Sequence, residues 1–145
     1  MAETKLKSQA SNIFPQVSTD TVNISSFTSA ANANEQDITG ATITVTGLGS
    51  SMSVFATCKL NVSAMPAGNT NFWLYIDGVT VGNYYQGNAR TGEQCIVLSG
   101  IGTVADGQNF IVKATLSNDG SNAITVYGSV GGRSNINVIT FTNGQ

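Results

Sequence analysis

The segment Ser53 to Ser63 alternates without a break: Val54, Ala56, Cys58, Leu60 and Val62 fall on one side, and Ser53, Phe55, Thr57, Lys59 and Asn61 on the other. Successive side chains of a strand point to opposite faces, so this pattern fits a strand with one face on a core and fits no helix. Phe55 is the exception, a large apolar residue on the polar side. Further stretches carry the same strand signal. They are Thr21 to Thr28, Asp37 to Thr46, Phe72 to Ile76, Val79 to Tyr85, Glu93 to Ser99, Phe110 to Leu116, Ala123 to Val130 and Ile136 to Phe141. Asp77-Gly78, Asp106-Gly107, Asp119-Gly120 and Gly131-Gly132 punctuate them, and such pairs suit tight turns because glycine tolerates positive φ. Short strands at this spacing predict an all-β fold, an antiparallel β-sandwich or a barrel.

Composition agrees. Charged residues are 10% of the chain, against roughly 25% in an ordinary globular protein, and the polarity comes from Ser, Thr, Asn and 16 Gly. Straight-chain helix formers are scarce, and no segment shows helical periodicity. The six basic residues, Lys5, Lys7, Lys59, Arg90, Lys113 and Arg133, are scattered, and the net charge is -2. Nucleic-acid binding relies on clustered cations that displace counterions from phosphates, so no nucleic-acid partner is expected. No stretch approaches the ~20 apolar residues that span a bilayer, and the N-terminus has no apolar leader core. No membrane partner is therefore expected.

Residues 1–20 differ from the rest. They lack a strand period, contain Pro15 and hold two of the six basic residues. They read as an extended N-terminal arm that adds nothing to the core, preceding a sandwich domain over 21–145. Such an arm becomes ordered when something holds it, such as a neighbouring subunit. Its apolar residues Leu6, Ile13 and Phe14 are then candidate partner contacts.

Catalytic chemistry is poorly supplied. The chain has no histidine, hence no Ser-His or Cys-His arrangement and not the commonest general base or metal ligand. Asp77, Asp106 and Asp119 each precede a glycine, where turn chemistry explains them. No Asp-rich loop has calcium-ligand spacing. Gly47-Leu48-Gly49 and Gly100-Ile101-Gly102 read as loops at sandwich corners, with no following helix to bind a phosphate. Cys58 and Cys95 both read as core-phase residues of strands, that is, as two buried thiols; spacing alone neither pairs nor separates them. No catalytic residue, cofactor or metal is expected.

The one cluster with binding chemistry is aromatic: Trp73, Tyr75, Tyr84 and Tyr85. Trp73 and Tyr75 share a face of their strand, opposite Phe72, Leu74 and Ile76. Exposed aromatics stack on sugars or anchor protein interfaces. The plainer reading is that one set fills the core and the other a subunit interface.

Three runs carry a resemblance. Phe72-Trp73-Leu74-Tyr75-Ile76-Asp77-Gly78-Val79-Thr80-Val81-Gly82 is a strand, a turn and a strand. Val97 to Gln108 leads into Phe110 to Ala114, and Ile136 to Phe141 is a final apolar strand. Over about residues 40 to 141 this pattern resembles the small jelly-roll domains of tailed-bacteriophage virion proteins, which are similar to the trimeric TNF/C1q-like fold. The resemblance implies a homotrimer in a virion, partnered by the major capsid protein or another virion protein. It implies a structural role, foremost a capsid decoration (cement) protein. The alternative is a fibre tip recognising a host glycan or surface protein through Trp73, Tyr75, Tyr84, Tyr85 and Arg90. It carries over no catalytic residue.

Overall fold

A computed structural model describes residues 16–128 and 134–142. Its strands are β1 (Val17–Asn23), β2 (Phe27–Ser29), β3 (Ala33–Val45), β4 (Met52–Val62), β5 (Thr70–Ile76), β6 (Val79–Gln86), β7 (Gln94–Val104), β8 (Phe110–Asn118), β9 (Ile124–Tyr127) and β10 (Asn135–Thr142). No helix occurs among the described residues, so none is long and apolar enough to cross a membrane.

The strands form two antiparallel sheets. One runs β1-β10-β4, with β7 on the far side of β4 and the short β9-β2 pair joined to the end of β4. The other runs β3-β8-β5-β6. The chain crosses between the sheets repeatedly, and leaving aside β2 and β9 the two four-strand orders interlock as a jelly roll of two Greek keys. The expected all-β sandwich and its jelly-roll form are both present.

The alternation in β4 does what its pattern demands. Val54, Ala56, Cys58, Leu60 and Val62 are wholly buried between the sheets. Phe72, Leu74 and Ile76 from β5, Val112, Ala114 and Leu116 from β8, and Ile136 and Val138 from β10 meet them there. Asp77 and Gly78 take φ of +48° and +77°, the left-handed pair that closes a two-residue hairpin between β5 and β6.

Four expectations are corrected. The arm expected over 1–20 does not include residues 17–20, because Val17 to Asp20 form the first half of β1 and pair with β10. β1 is an edge strand with no fully buried residue, so it carries little apolar pattern to read. Residues 1–15, with Leu6, Ile13 and Phe14, lie outside the described residues. The strand read as Thr21 to Thr28 divides, since β1 pairs with β10 and β2 with β9.

Gly100-Ile101-Gly102 is the interior of β7 and not a corner loop. These glycines answer to crowding: a Cβ on Gly100 would come 2.3 Å from the carbonyl oxygen of Val81, and one on Gly82 would come 2.8 Å from that of Ser99. The two sheets approach backbone to backbone where β6 crosses β7. Cys95 is exposed, not a core thiol. Leu98 opposes Cys58 on the inner face, whereas Cys95 opposes Asn61 on the outer face. Both thiols are free, and the sheet lies between them.

Candidate functional site

With the core accounted for, two outer faces remain. On the β1-β10-β4-β7 sheet the registers Thr19–Ile139, Ile139–Phe55 and Phe55–Ile101 align one cross-strand row. Val17 and Phe141 oppose each other one step along, and Val97, opposite Lys59 and beyond Ser99, is a further exposed apolar residue on β7. Ile101 is 71% exposed, Val17 66%, Val97 63% and Ile139 39%. Phe55, the residue that breaks the polar alternation of its strand, stands at the middle of the row. Sequence reasoning noticed Phe55 but not its neighbours. β7 carries apolar residues on both faces, which was the available signal.

The outer face of β3-β8-β5-β6 is chemically opposite. Trp73 and Tyr75 stand on it as expected, half-buried, with Phe72, Leu74 and Ile76 turned inward. Tyr85 joins them from β6, where it opposes Asn71, while Trp73 opposes Asn83. Polar side chains tie the face together. The Glu35 carboxylate accepts the Tyr75 hydroxyl at 2.7 Å and the Thr115 hydroxyl at 2.6 Å. Desolvation by its surroundings, then the Glu35 carboxylate, raises the Tyr75 phenol above its ordinary pKa. Lys113 donates to Asp37 at 2.8 Å and lies 5.9 Å from the centre of the Tyr75 ring. The hydrogen bond to Asp37 is the chief reason its ammonium is held on more tightly than usual. Glu35, Thr115, Asn71 and Asn83 were not singled out in the sequence. The bulges in β3 on either side of Gln36 and Asp37 set which residues of that strand meet β8, and no spacing rule exposes them.

The other candidates separate from this face. Tyr84 turns inward and packs on the core, its ring 6.3 Å from that of Phe72. Its hydroxyl donates to Gln86 Oε1 at 2.8 Å, and the Arg90 Nε donates to the same oxygen at 3.3 Å. Arg90 sits at one end of the sandwich, bridged through its backbone to Met65. It borders an open cleft of about 510 Å³ together with Ser63, Asn122 and Thr125. Among the described residues no group of three or more His, Cys, Asp or Glu is placed to hold a metal ion.

No family model matches the chain, and no curated protein matches it. Solved structures do. The CBM36-1 domain of a multidomain xylanase from the hindgut metagenome of Trinervitermes trinervoides is 13% identical, with a TM-score of 0.38, over 88% of this chain and 99% of that one. The C-terminal domain of EclA, a sugar-binding protein, is 15% identical, with a TM-score of 0.45, over 71% of this chain and 74% of that one. The VP2 subviral particle of infectious bursal disease virus is 15% identical, with a TM-score of 0.38, over 90% of this chain but 38% of that one. These are likenesses of overall shape at low identity, and the jelly-roll assignment rests on the strand order itself.

Proposed function

We propose that this chain is a structural virion protein, a capsid decoration protein that acts as a homotrimer and bridges capsid subunits. The observation that carries the assembly is the apolar row of Ile139, Phe55 and Ile101, extended by Val17 and Val97, on an otherwise well-made sandwich. Burying each such side chain is worth roughly 1.5–3 kcal/mol, so several of them aligned across β10, β4 and β7 favour a packed neighbour over water. The scarcity of charge suits a subunit that sits among others, because interface cores are depleted in charged residues. Residues 1–15 then serve as the attachment arm, with Leu6, Ile13 and Phe14 as its apolar contacts.

Light scattering after size exclusion tests the assembly. The full chain is expected at three times its 15.0 kDa mass, and Ile101→Glu at a single one with its circular dichroism unchanged. A wild-type monomer overturns the trimer. The arm is tested by removing residues 1–15, which spares β1. That variant should remain trimeric and fail to sediment with capsids, and full retention on capsids overturns the attachment role.

A further inference from the structure

The second outer face has a composition that assembly does not require. Asn71 opposes Tyr85 and Trp73 opposes Asn83, so two aromatic rings and two carboxamides alternate in a two-by-two block on neighbouring strands. Diagonal partners in such a block lie within reach of long side chains, roughly 7–8 Å apart. Tyr85 is 58% exposed, yet it is fixed at its tip: its hydroxyl donates to Asn69 Oδ1 at 2.6 Å. Its ring also lies against the backbone of Gly87, where a Cβ would come 2.9 Å from the hydroxyl and 3.3 Å from the ring carbons. Tyr75 is likewise fixed, through Glu35. An exposed ring immobilised in advance gains nothing for the fold by its exposure, but it removes ordering cost from a later binding event.

We propose that this face binds a neutral glycan, with Tyr85 and Trp73 stacking on the apolar faces of successive sugar rings and Asn71 and Asn83 hydrogen-bonding their hydroxyls. A sugar ring presents C–H groups on its faces and hydroxyls around its edge, which is what alternating aromatic and amide groups complement. The charge on the face selects the class. Its one cation among the described residues, Lys113, is paired with Asp37, and Glu35 leaves the face net negative. A phosphate, a nucleic acid or an acidic sugar would meet repulsion there, while a neutral saccharide meets none.

The test is affinity electrophoresis of the full chain through gels containing mannan, β-glucan or galactan, with polygalacturonate as the acidic control. Retardation by at least one neutral polymer and none by polygalacturonate is expected. Retardation by no neutral polymer overturns the proposal. Tyr85→Ala should weaken binding roughly tenfold, the cost of losing about one stacking contact. Trp73 is half-buried, and Trp73→Ala carries a risk to the fold. Gly87→Ala is the safer companion, because it keeps every aromatic and only displaces the Tyr85 ring; it should weaken binding several-fold with an unchanged melting temperature. Wild-type retardation by both Tyr85→Ala and Gly87→Ala overturns the site. Retention on host envelopes that survives periodate oxidation of their sugars would assign the face to a protein partner instead. The Ile101→Glu variant should bind with unchanged affinity per chain, so failure of the trimer and failure of this site are read separately.

Discussion

The two sheets share one core and differ on their outer faces. On the β1-β10-β4-β7 sheet an apolar row stands open among polar neighbours such as Thr19, Thr57, Lys59 and Ser99, with Ile101, Val17 and Val97 mostly in solvent. On the β3-β8-β5-β6 sheet the outward residues, apart from Ile111, are aromatic and polar, and several hold one another: Tyr75 and Thr115 on Glu35, Tyr85 on Asn69, Lys113 on Asp37. Strand alternation alone demands only that one face of each sheet be apolar. What is added on the other face is therefore free to serve something beyond the fold. Open aliphatics gain from a neighbour that removes them from water, whereas the fixed aromatics already have their hydroxyls partnered within the chain.

The largest effect we expect contrasts the two faces of a single sheet through its thiols. Burial pushes the Cys58 thiol up to about 12 from its ordinary 9, so the folded state keeps a proton that the unfolded state releases. Stability from this group is complete below pH 9 and falls as pH rises toward 12, on the order of 1 kcal/mol per pH unit. Tyr75, also raised, adds loss in the same direction. The group is isolated by comparing wild type with Cys58→Ala in denaturant melts from pH 8 to 11. The advantage of wild type should shrink with pH, and a constant difference would break the assignment. Below pH 9, a maleimide should label Cys95 in the native protein and leave Cys58 unlabelled.

The same two cysteines show how far the sequence could be read. Cys58 lies in a strand whose polar and apolar residues alternate but for Phe55, so its phase was legible. Cys95 heads the run Cys95-Ile96-Val97-Leu98, which is apolar on both faces, and an alternation without polar members has no phase. Ile96 and Leu98 took the core, leaving Cys95 and Val97 outside. The feature that hid the phase is also the one that leaves apolar side chains in solvent, because a strand with both faces apolar in a two-layer sandwich presents one of them outward. Trp73 and Tyr75 were legible as a pair because they alternate with the core residues of β5. Tyr84 and Tyr85 adjoin in sequence, so they face opposite ways, and only the register of β6 on β5 decides which is outside. Glu35 was beyond reach, since it meets Tyr75 and Thr115 across 40 and 80 residues of chain.

Glu35 gives the next effect in size. Thr115 is buried, and its hydroxyl donates to this carboxylate. Glu35→Ala leaves a buried donor unpartnered and frees the Tyr75 ring, which should cost about 1–3 kcal/mol. Phe55→Thr on the other sheet should leave the stability of the single chain nearly unchanged and weaken the proposed trimer. The pair sharpens the contrast: the polar contacts of one face bear on the fold, while the apolar row of the other bears on the proposed assembly. Equal losses of chain stability from both variants would erase the distinction.

The smallest effect concerns Lys113 and Asp37, the salt bridge of the polar face. The pair is short at 2.8 Å, but Asp37 is largely in solvent, and exposed pairs are worth between nothing and about 1 kcal/mol. Lys113→Met keeps the aliphatic stem over the Tyr75 ring and removes the charge. It should lower stability by less than about 1 kcal/mol, and the loss should vanish in molar salt, where the screening length falls to about 3 Å. Its consequence for binding is the more telling one. Removing the cation makes the face more negative without touching Trp73, Tyr85 or either amide. Retardation by the neutral polymer should therefore stay unchanged. A marked loss would mean that the ligand carries negative charge and that Lys113 reaches it directly, moving the selection on this face from stacking to charge.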